Sequence, residues 1–341
     1  MTRYNQNSTL KPSKFVLLLC LVVLVLAGAM YFGFKPTSPE REPERIVCIT
    51  QIVQHPSLDK IRGGIENTLH DFEKKAGVSL KVIYDNAQGN IATATQIANK
   101  FVGLRPDVIV AITTPSAQTV KSVVQESSIP VVFSAVTDPL GAGLVENLQL
   151  PGGNVTGTID APPVEKQIEV LLSVLPDVKT VGVIYNPGEV NAVIQSDHFA
   201  KLANEKGLKV IRAVASKTSE VLTAATRLVG VVNAIYIPND NTVVSALESL
   251  LKVAEENHIP TMASDPDSVK RGATFAVAND QYQVGQETGR LILQVLTGTP
   301  PGQIPVERVK GLALYLNEVA LKKMHLQDSV FTQQKIPLVR Y

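Results

Sequence analysis

The fold class this sequence predicts is α/β, built as two similar halves, and three observations predict it. From Arg45 onward, short β-branched runs alternate with amphipathic stretches at regular spacing, the pattern of strand–helix units around parallel sheets. The rhythm restarts after Pro151-Gly152-Gly153-Asn154, whose proline and glycines break any regular element. The residues just past the expected strands are small hydroxyls, amides and carboxylates, and in open parallel sheets the functional loops lie there.

In the first half, strands are expected at Ile46 to Thr50, Leu80 to Tyr84, Val108 to Ile112 and Val131 to Ser134. Helices at Leu58 to Lys75, Ile91 to Val102 and Ser116 to Gln125 separate them. Pro106 and Pro130 each stand just before a strand, where proline cannot continue a helix and biases its predecessor to extended geometry. In the second half, strands are expected at Thr180 to Tyr185, Lys209 to Ala213, Ala234 to Ile237 and Thr274 to Val277. The helices between them are Val164 to Leu175, Val190 to Lys206, Ser219 to Val229 and Val243 to Asn257. A helix from Tyr282 to Leu296 carries Val284, Thr288, Leu291 and Val295 on one stripe, and a strand at Leu312 to Leu316 precedes a short helix capped by Asn317.

Ahead of this region an uncharged run from Phe15 to Phe34 follows Arg3, Lys11 and Lys14. About 20 apolar residues can cross a bilayer, and basic residues on the N-terminal side favour keeping that end in the cytoplasm. Residues 1–34 therefore read as a membrane anchor or a secretory signal, Ala27-Gly28-Ala29 resembling a cleavage site. Both fates put the rest of the chain outside the cytoplasmic membrane. Cys20 lacks the small residues that precede a lipidated cysteine. Residues 35–44, spaced by prolines and alternating charges, read as a semi-extended tether. The folded part divides into a first lobe at 45–155, to which 280–330 return in part, and a second lobe at 156–279.

The chain of 341 residues is 45% hydrophobic and 18% charged, enough for two cored lobes with a cleft between them, where small ligands bind. Its net charge of +1 gives no electrostatic footprint for nucleic acid. Of the two cysteines, Cys20 lies in the apolar run and Cys48 in the first strand, so no disulfide is expected, and without a C-x-x-C pair neither is a zinc or iron–sulfur site.

The strand ends supply Thr50 and Gln51, the run Thr113-Thr114-Pro115-Ser116, Ala135 and Thr137, Asn186, Asn239 and Asp240, Asp265, and Asp280. No lysine or arginine stands among them. Hydroxyls at the helix start near Thr114 and Ser116 can cap that helix, and its free N–H groups and dipole can hold an anion without a cation. Ala135 and Thr137 would complete the cradle. If the anion is the carboxylate of an amino acid, Asp240, Asp265 or Asp280 can meet its ammonium, although each also suits a turn or cap. Asp265-Pro266-Asp267 lacks the spaced oxygens and glycine of a calcium loop. The five histidines are scattered without metal-binding helical spacing, and the nucleophile elbow, the dinucleotide fingerprint and the phosphate loop are all missing, so neither catalysis nor a cofactor is expected.

Several segments together resemble a known family. Ile49 to Pro56, Val136-Thr137-Asp138-Pro139, Pro151 to Gly157, Tyr185-Asn186-Pro187-Gly188-Glu189 and Asp280 to Gly285 look like the substrate-binding proteins of ABC transporters, of the tryptophan and aromatic amino-acid-binding type. The resemblance covers nearly all of 45–326. It implies a type I periplasmic-binding-protein-like fold, with two Rossmann-like lobes joined by three crossovers, a hinge and an interlobe cleft. It also implies an extracytoplasmic solute-binding protein that captures a small solute, an amino acid and among these an aromatic one, by hinge closure and delivers it to an ABC transporter permease. The carboxylate contacts would correspond to Thr114, Ser116, Ala135 and Thr137, and the ammonium contact to Asp240 or Asp265, with Asp280 at a crossover. A membrane-tethered sensing domain or receptor accessory of the same fold is the competing expectation. An α/β enzyme would need a nucleophile or base that the strand ends do not offer.

Overall fold

The computed structural model describes residues 21–26, 28, 44–125 and 127–341. Two units are distinguished, Met1–Pro43 and Glu44–Tyr341. In the first, residues 21–26 and 28 are helical and the side chains of Leu21 to Leu26 are exposed; the rest of the expected anchor and nearly all of the tether lie outside the described residues. Among the described residues, no helix is long and apolar enough to cross a membrane.

The second unit begins with β1 (Arg45–Gln51), α1 (Pro56–Ala76), β2 (Leu80–Asn86), α2 (Ile91–Leu104), β3 (Val108–Ile112), α3 (Thr114–Val124), β4 (Val131–Val136) and β5 (Val155–Ile159). Strand β1 pairs in parallel with both β2 and β3, with Cys48 opposite Ile83 and Ile109. All five side chains of β3 are fully buried, which is why its sequence shows no polar alternation. Helix α1 starts at Pro56, where the missing N–H costs nothing, and stops at Gly77, which takes the left-handed conformation at φ 68°. Its Leu58, Ile61, Ile65 and Leu69 face the core at helical spacing.

The chain continues with α4 (Val164–Val174), β6 (Thr180–Tyr185), α5 (Val190–Glu205), β7 (Lys209–Val214), α6 (Val221–Thr226), β8 (Ala234–Ile237), α7 (Asn241–Ser245), α8 (Leu247–Glu256), β9 (Thr261–Ala263), α9 (Pro266–Lys270), β10 (Phe275–Ala278) and α10 (Gln281–Leu296). It closes with β11 (Glu307–Arg308), β12 (Ala313–Leu316), α11 (Glu318–Lys323), α12 (Asp328–Thr332) and β13 (Leu338–Arg340). The first sheet has the order β11-β5-β4-β3-β1-β2 and the second β13-β12-β10-β9-β8-β6-β7. Both are doubly wound, the order reversing between β1 and β3 and again between β6 and β8, and ligands bind beyond the carboxyl ends of strands at such reversals. The fold is thus α/β with two mainly parallel sheets, β12 running antiparallel to β10.

Three crossovers join the lobes, after β5, after β10 and after β11. Several elements differ from expectation. The stretch after Asn154 pairs with β4, so the first lobe extends through Ile159 and not 155. Of the returning segment expected at 280–330, α10 and β11 join the first lobe, while β12, α11 and α12 belong to the second. The expected helix Val243 to Asn257 is interrupted at Ala246, giving α7 and α8. Strands β9, β11 and β13, two or three residues each, are too short to give a periodic signal.

Candidate functional site

A narrow cavity of about 40 Å³ lies between the two sheets' carboxyl ends, lined by residues of both lobes. Its first-lobe wall is built from the starts of α1 and α3, Ala135 near the end of β4, Thr137 just past that strand, and Asp160 past β5. Thr113 caps α3 at φ 77° and ψ 162°, a region almost reserved for glycine, and Ala135 sits at φ 56° where the β4–β5 register shifts. Two non-glycine residues held in costly conformations thus stand side by side on the cavity wall. The hydroxyls of Thr113, Thr114 and Ser116, all buried, have no hydrogen-bond partner in the protein, so the helix start offers unspent donors along with its dipole.

The opposite wall carries acids. Asp240 caps α7: its Oδ1 accepts from the Val243 N–H at 2.9 Å and its Oδ2 from the Asn186 N–H at 2.5 Å. Burial first, then the neighbouring Glu189 carboxylate, push its carboxyl well above the ordinary range. Asp265 caps α9: its Oδ1 accepts from the N–H groups of Asp267 and Ser268 and from Ser57 Oγ at 2.5 Å, and its Oδ2 from Ser268 Oγ. Asn239 is fixed by a buried network in which its N–H donates to Gln195 Oε1 at 2.9 Å while Gln195 and Gln167 hold the Tyr236 hydroxyl. Burial is the main reason that hydroxyl is pushed up to about 12. Leu58, Ile61 and Val244 supply apolar surface, and no lysine or arginine lines the cavity.

Of the residues singled out from sequence, Thr114, Ala135, Thr137, Asn239, Asp240 and Asp265 line this cavity, and Thr50, Gln51, Ser116, Asn186 and Asp280 do not. Thr50 and Ser116 are buried, each with an unpartnered hydroxyl. Gln51 is likewise buried, its Nε2 donating to the Val53 carbonyl at 2.7 Å. Asn186 lines a separate opening with Pro115 and Thr242, and its Nδ2 donates to Thr242 Oγ1 at 2.8 Å. Asp280 caps α10 through the Gln283 N–H at 3.0 Å, a structural role that its position at the second crossover demands.

Sequence reasoning missed Asp160. It lines the cavity just past β5, with Oδ1 accepting from Asn279 Nδ2 at 2.9 Å and Oδ2 from Gln281 Nε2 at 3.0 Å. Burial raises its carboxyl, the two amides oppose the shift, and the Asp265 charge adds to it. The same strand-end rule would have found it, had Val155 to Ile159 been recognised as a strand. His55 also lines the cavity; burial lowers its pKa, so the ring is neutral, and its Nδ1 has no partner.

Residues 46–335 match the family described as ABC transporter substrate binding protein. The chain belongs to that family. Its members bind solutes and are not enzymes. The chain is 39% identical over 288 residues to a tyrosine-binding protein of Clostridioides difficile, covering 84% of this chain and 83% of the relative. A solved structure from Streptococcus pneumoniae, an ABC domain in complex with L-Trp, superposes with a TM-score of 0.82 at 31% identity, over 87% of this chain and 100% of that one. The ligand-free, open structure of a substrate binding protein with adhesive properties from Clostridium difficile superposes at 0.66 with 34% identity, over 87% and 99%. The fold of these neighbours is the type I periplasmic-binding-protein-like one.

Proposed function

We propose that this chain is the extracytoplasmic solute-binding component of an ABC importer, that it takes an amino acid with an aromatic or other apolar side chain, and that it closes around the ligand by a hinge motion. The observation that carries the reading is the cavity itself: unpartnered hydroxyls at a helix start, three carboxylates from the two lobes, apolar side chains, and no cation. An amino acid's carboxylate suits Thr113, Thr114, Ala135 and Thr137 by charge, its ammonium suits the carboxylates that line the cavity, and its side chain suits Leu58, Ile61 and Val244. The relatives that bind tyrosine and L-Trp support the class of ligand. Hinge closure is supported by contacts that bridge the lobes, Ser57 Oγ to Asp265 and Lys60 Nζ to Asp267 Oδ1 at 2.5 Å, and by the better superposition on the ligand-bound neighbour than on the open one.

In this reading residues 1–34 direct export and anchor the protein or are cleaved, residues 35–44 tether it, and the partner is a membrane permease. The test is a thermal-shift screen of the full-length protein against the twenty amino acids, followed by calorimetry, because a ligand that binds only the native state raises its apparent stability. L-tyrosine or L-tryptophan is expected to bind with a Kd of about 1 μM, roughly 8 kcal/mol. A screen in which no amino acid shifts the transition would overturn the reading.

A further inference from the structure

Three carboxylates line the cavity, and their hydrogen bonding separates them. An ionised carboxylate offers about four acceptor sites. Those of Asp265 are taken by two N–H groups and two hydroxyls, and the start of α9 compensates its charge. Both oxygens of Asp240 receive backbone N–H groups, and Glu189 lies beside it, so its charge is already opposed and confined. Asp160 receives one neutral amide on each oxygen and no backbone N–H, hydroxyl or cation, though it is only 6% exposed. The unpartnered His55 Nδ1 and Asn191 Oδ1 on the same cavity mark it as built for a guest.

We propose that Asp160 receives the ammonium group of the bound amino acid, and that Asp240 and Asp265 shape the wall as helix caps; this rests on the amino-acid reading above. The placement has a second consequence. Asp160 begins the first crossover, and its two amide donors, Asn279 and Gln281, flank the second. The carboxylate that meets the ligand's charge therefore ties together two of the three segments about which the lobes turn, so ligand charge is read at the hinge. The two amides orient the carboxylate without satisfying it, leaving acceptor capacity for an N–H donor that carries charge.

The test uses L-tyrosine and L-tryptophan with their des-amino analogues, which keep ring and carboxylate and lack only the ammonium, measured by calorimetry on the full-length protein. The wild type is expected to prefer each amino acid over its analogue by about 10- to 100-fold, the range of a charge-assisted hydrogen bond. Asp160→Asn is expected to lose that preference while binding the analogues within about threefold of wild type, which also shows that it folds. Should Asp160→Asn fail to fold, Asp160→Ser is measured in its place, because serine leaves no amide to face Asn279 and Gln281. Asp265→Asn is expected to weaken amino acid and analogue alike, leaving the ratio between them as in the wild type. A variant lacking Asp160 that still discriminates as the wild type does overturns the proposal and leaves the amino-acid reading intact. A wild type that binds no amino acid overturns both.

Discussion

At the level of single residues, the cavity is where this chain departs from relaxed geometry. Thr113 and Ala135 hold positive φ angles that cost of order 1–3 kcal/mol each and persist only because the strands on either side fix them. Asp160 is costly in another way. Burial raises its pKa in the folded state, so the stability it contributes is complete below the unfolded-state pKa and is lost as pH rises through the raised folded value. In the ligand-free protein at neutral pH, the ionised carboxylate is therefore a burden. Measured against Asp160→Asn in urea unfolding, the wild type is expected to gain about 1 kcal/mol as pH falls from 7 towards 4. Asp240, also raised, is common to both proteins, whereas the repulsion between Asp160 and Asp265 is present in the wild type alone and forms part of the difference. A gap between the two proteins that does not change with pH would show that Asp160 stays protonated or well solvated.

Among elements, α1 and α10 illustrate how helices from distant parts of the chain become one unit. A Cβ on Gly64 would lie 2.3 Å from the Tyr282 carbonyl oxygen, and one on Gly285 would lie 2.0 Å from that of Ile61. The two backbones thus touch at a point where only glycine fits, and α10 is locked into the first lobe although β10 before it belongs to the second. Gly285→Ala is expected to destabilise the fold by about 3 kcal/mol in equilibrium unfolding, because the obstructing atoms are backbone and cannot rotate away. A loss below about 1 kcal/mol would mean the helices can part without cost. The stripe on α10 was legible from Val284, Thr288, Leu291 and Val295, all of which are buried, Thr288 spending its hydroxyl on Ser134 and Thr158.

For the molecule as a whole, the proposed hinge closure makes the contacts between lobes the lever on how much of the closed form exists before ligand arrives. Lys60 is a third exposed and its partner Asp267 is buried, so the pair is worth more than a free surface ion pair, and Ser57 adds a hydrogen bond at the cavity rim. Removing either weakens the closed state without touching the ligand-holding groups at α3. Lys60→Ala is expected to lower amino-acid affinity about fivefold and to enlarge the ligand-free protein in small-angle scattering, since affinity scales with the competent population. Unchanged affinity and unchanged dimensions would show that closure does not depend on this pair.

The repeated alternation of β-branched and amphipathic segments determined the α/β class, and the order of polar residues at strand ends determined one wall of the cavity, with Thr114, Ala135 and Thr137 where they were expected. Both are local properties, fixed by the chemistry of a few consecutive residues. Only the tertiary structure decided which acid was free. Asp240 and Asp265 looked alike with Asp160 as carboxylates, and their difference lies in N–H groups and hydroxyls brought to them by folding. Asp160 itself was hidden because β5 is a strand by virtue of its pairing with β4, following a proline- and glycine-rich turn that reads as a boundary. The short strands β9, β11 and β13 were likewise invisible, since a strand of two or three residues owes its existence to its neighbours and carries no period of its own.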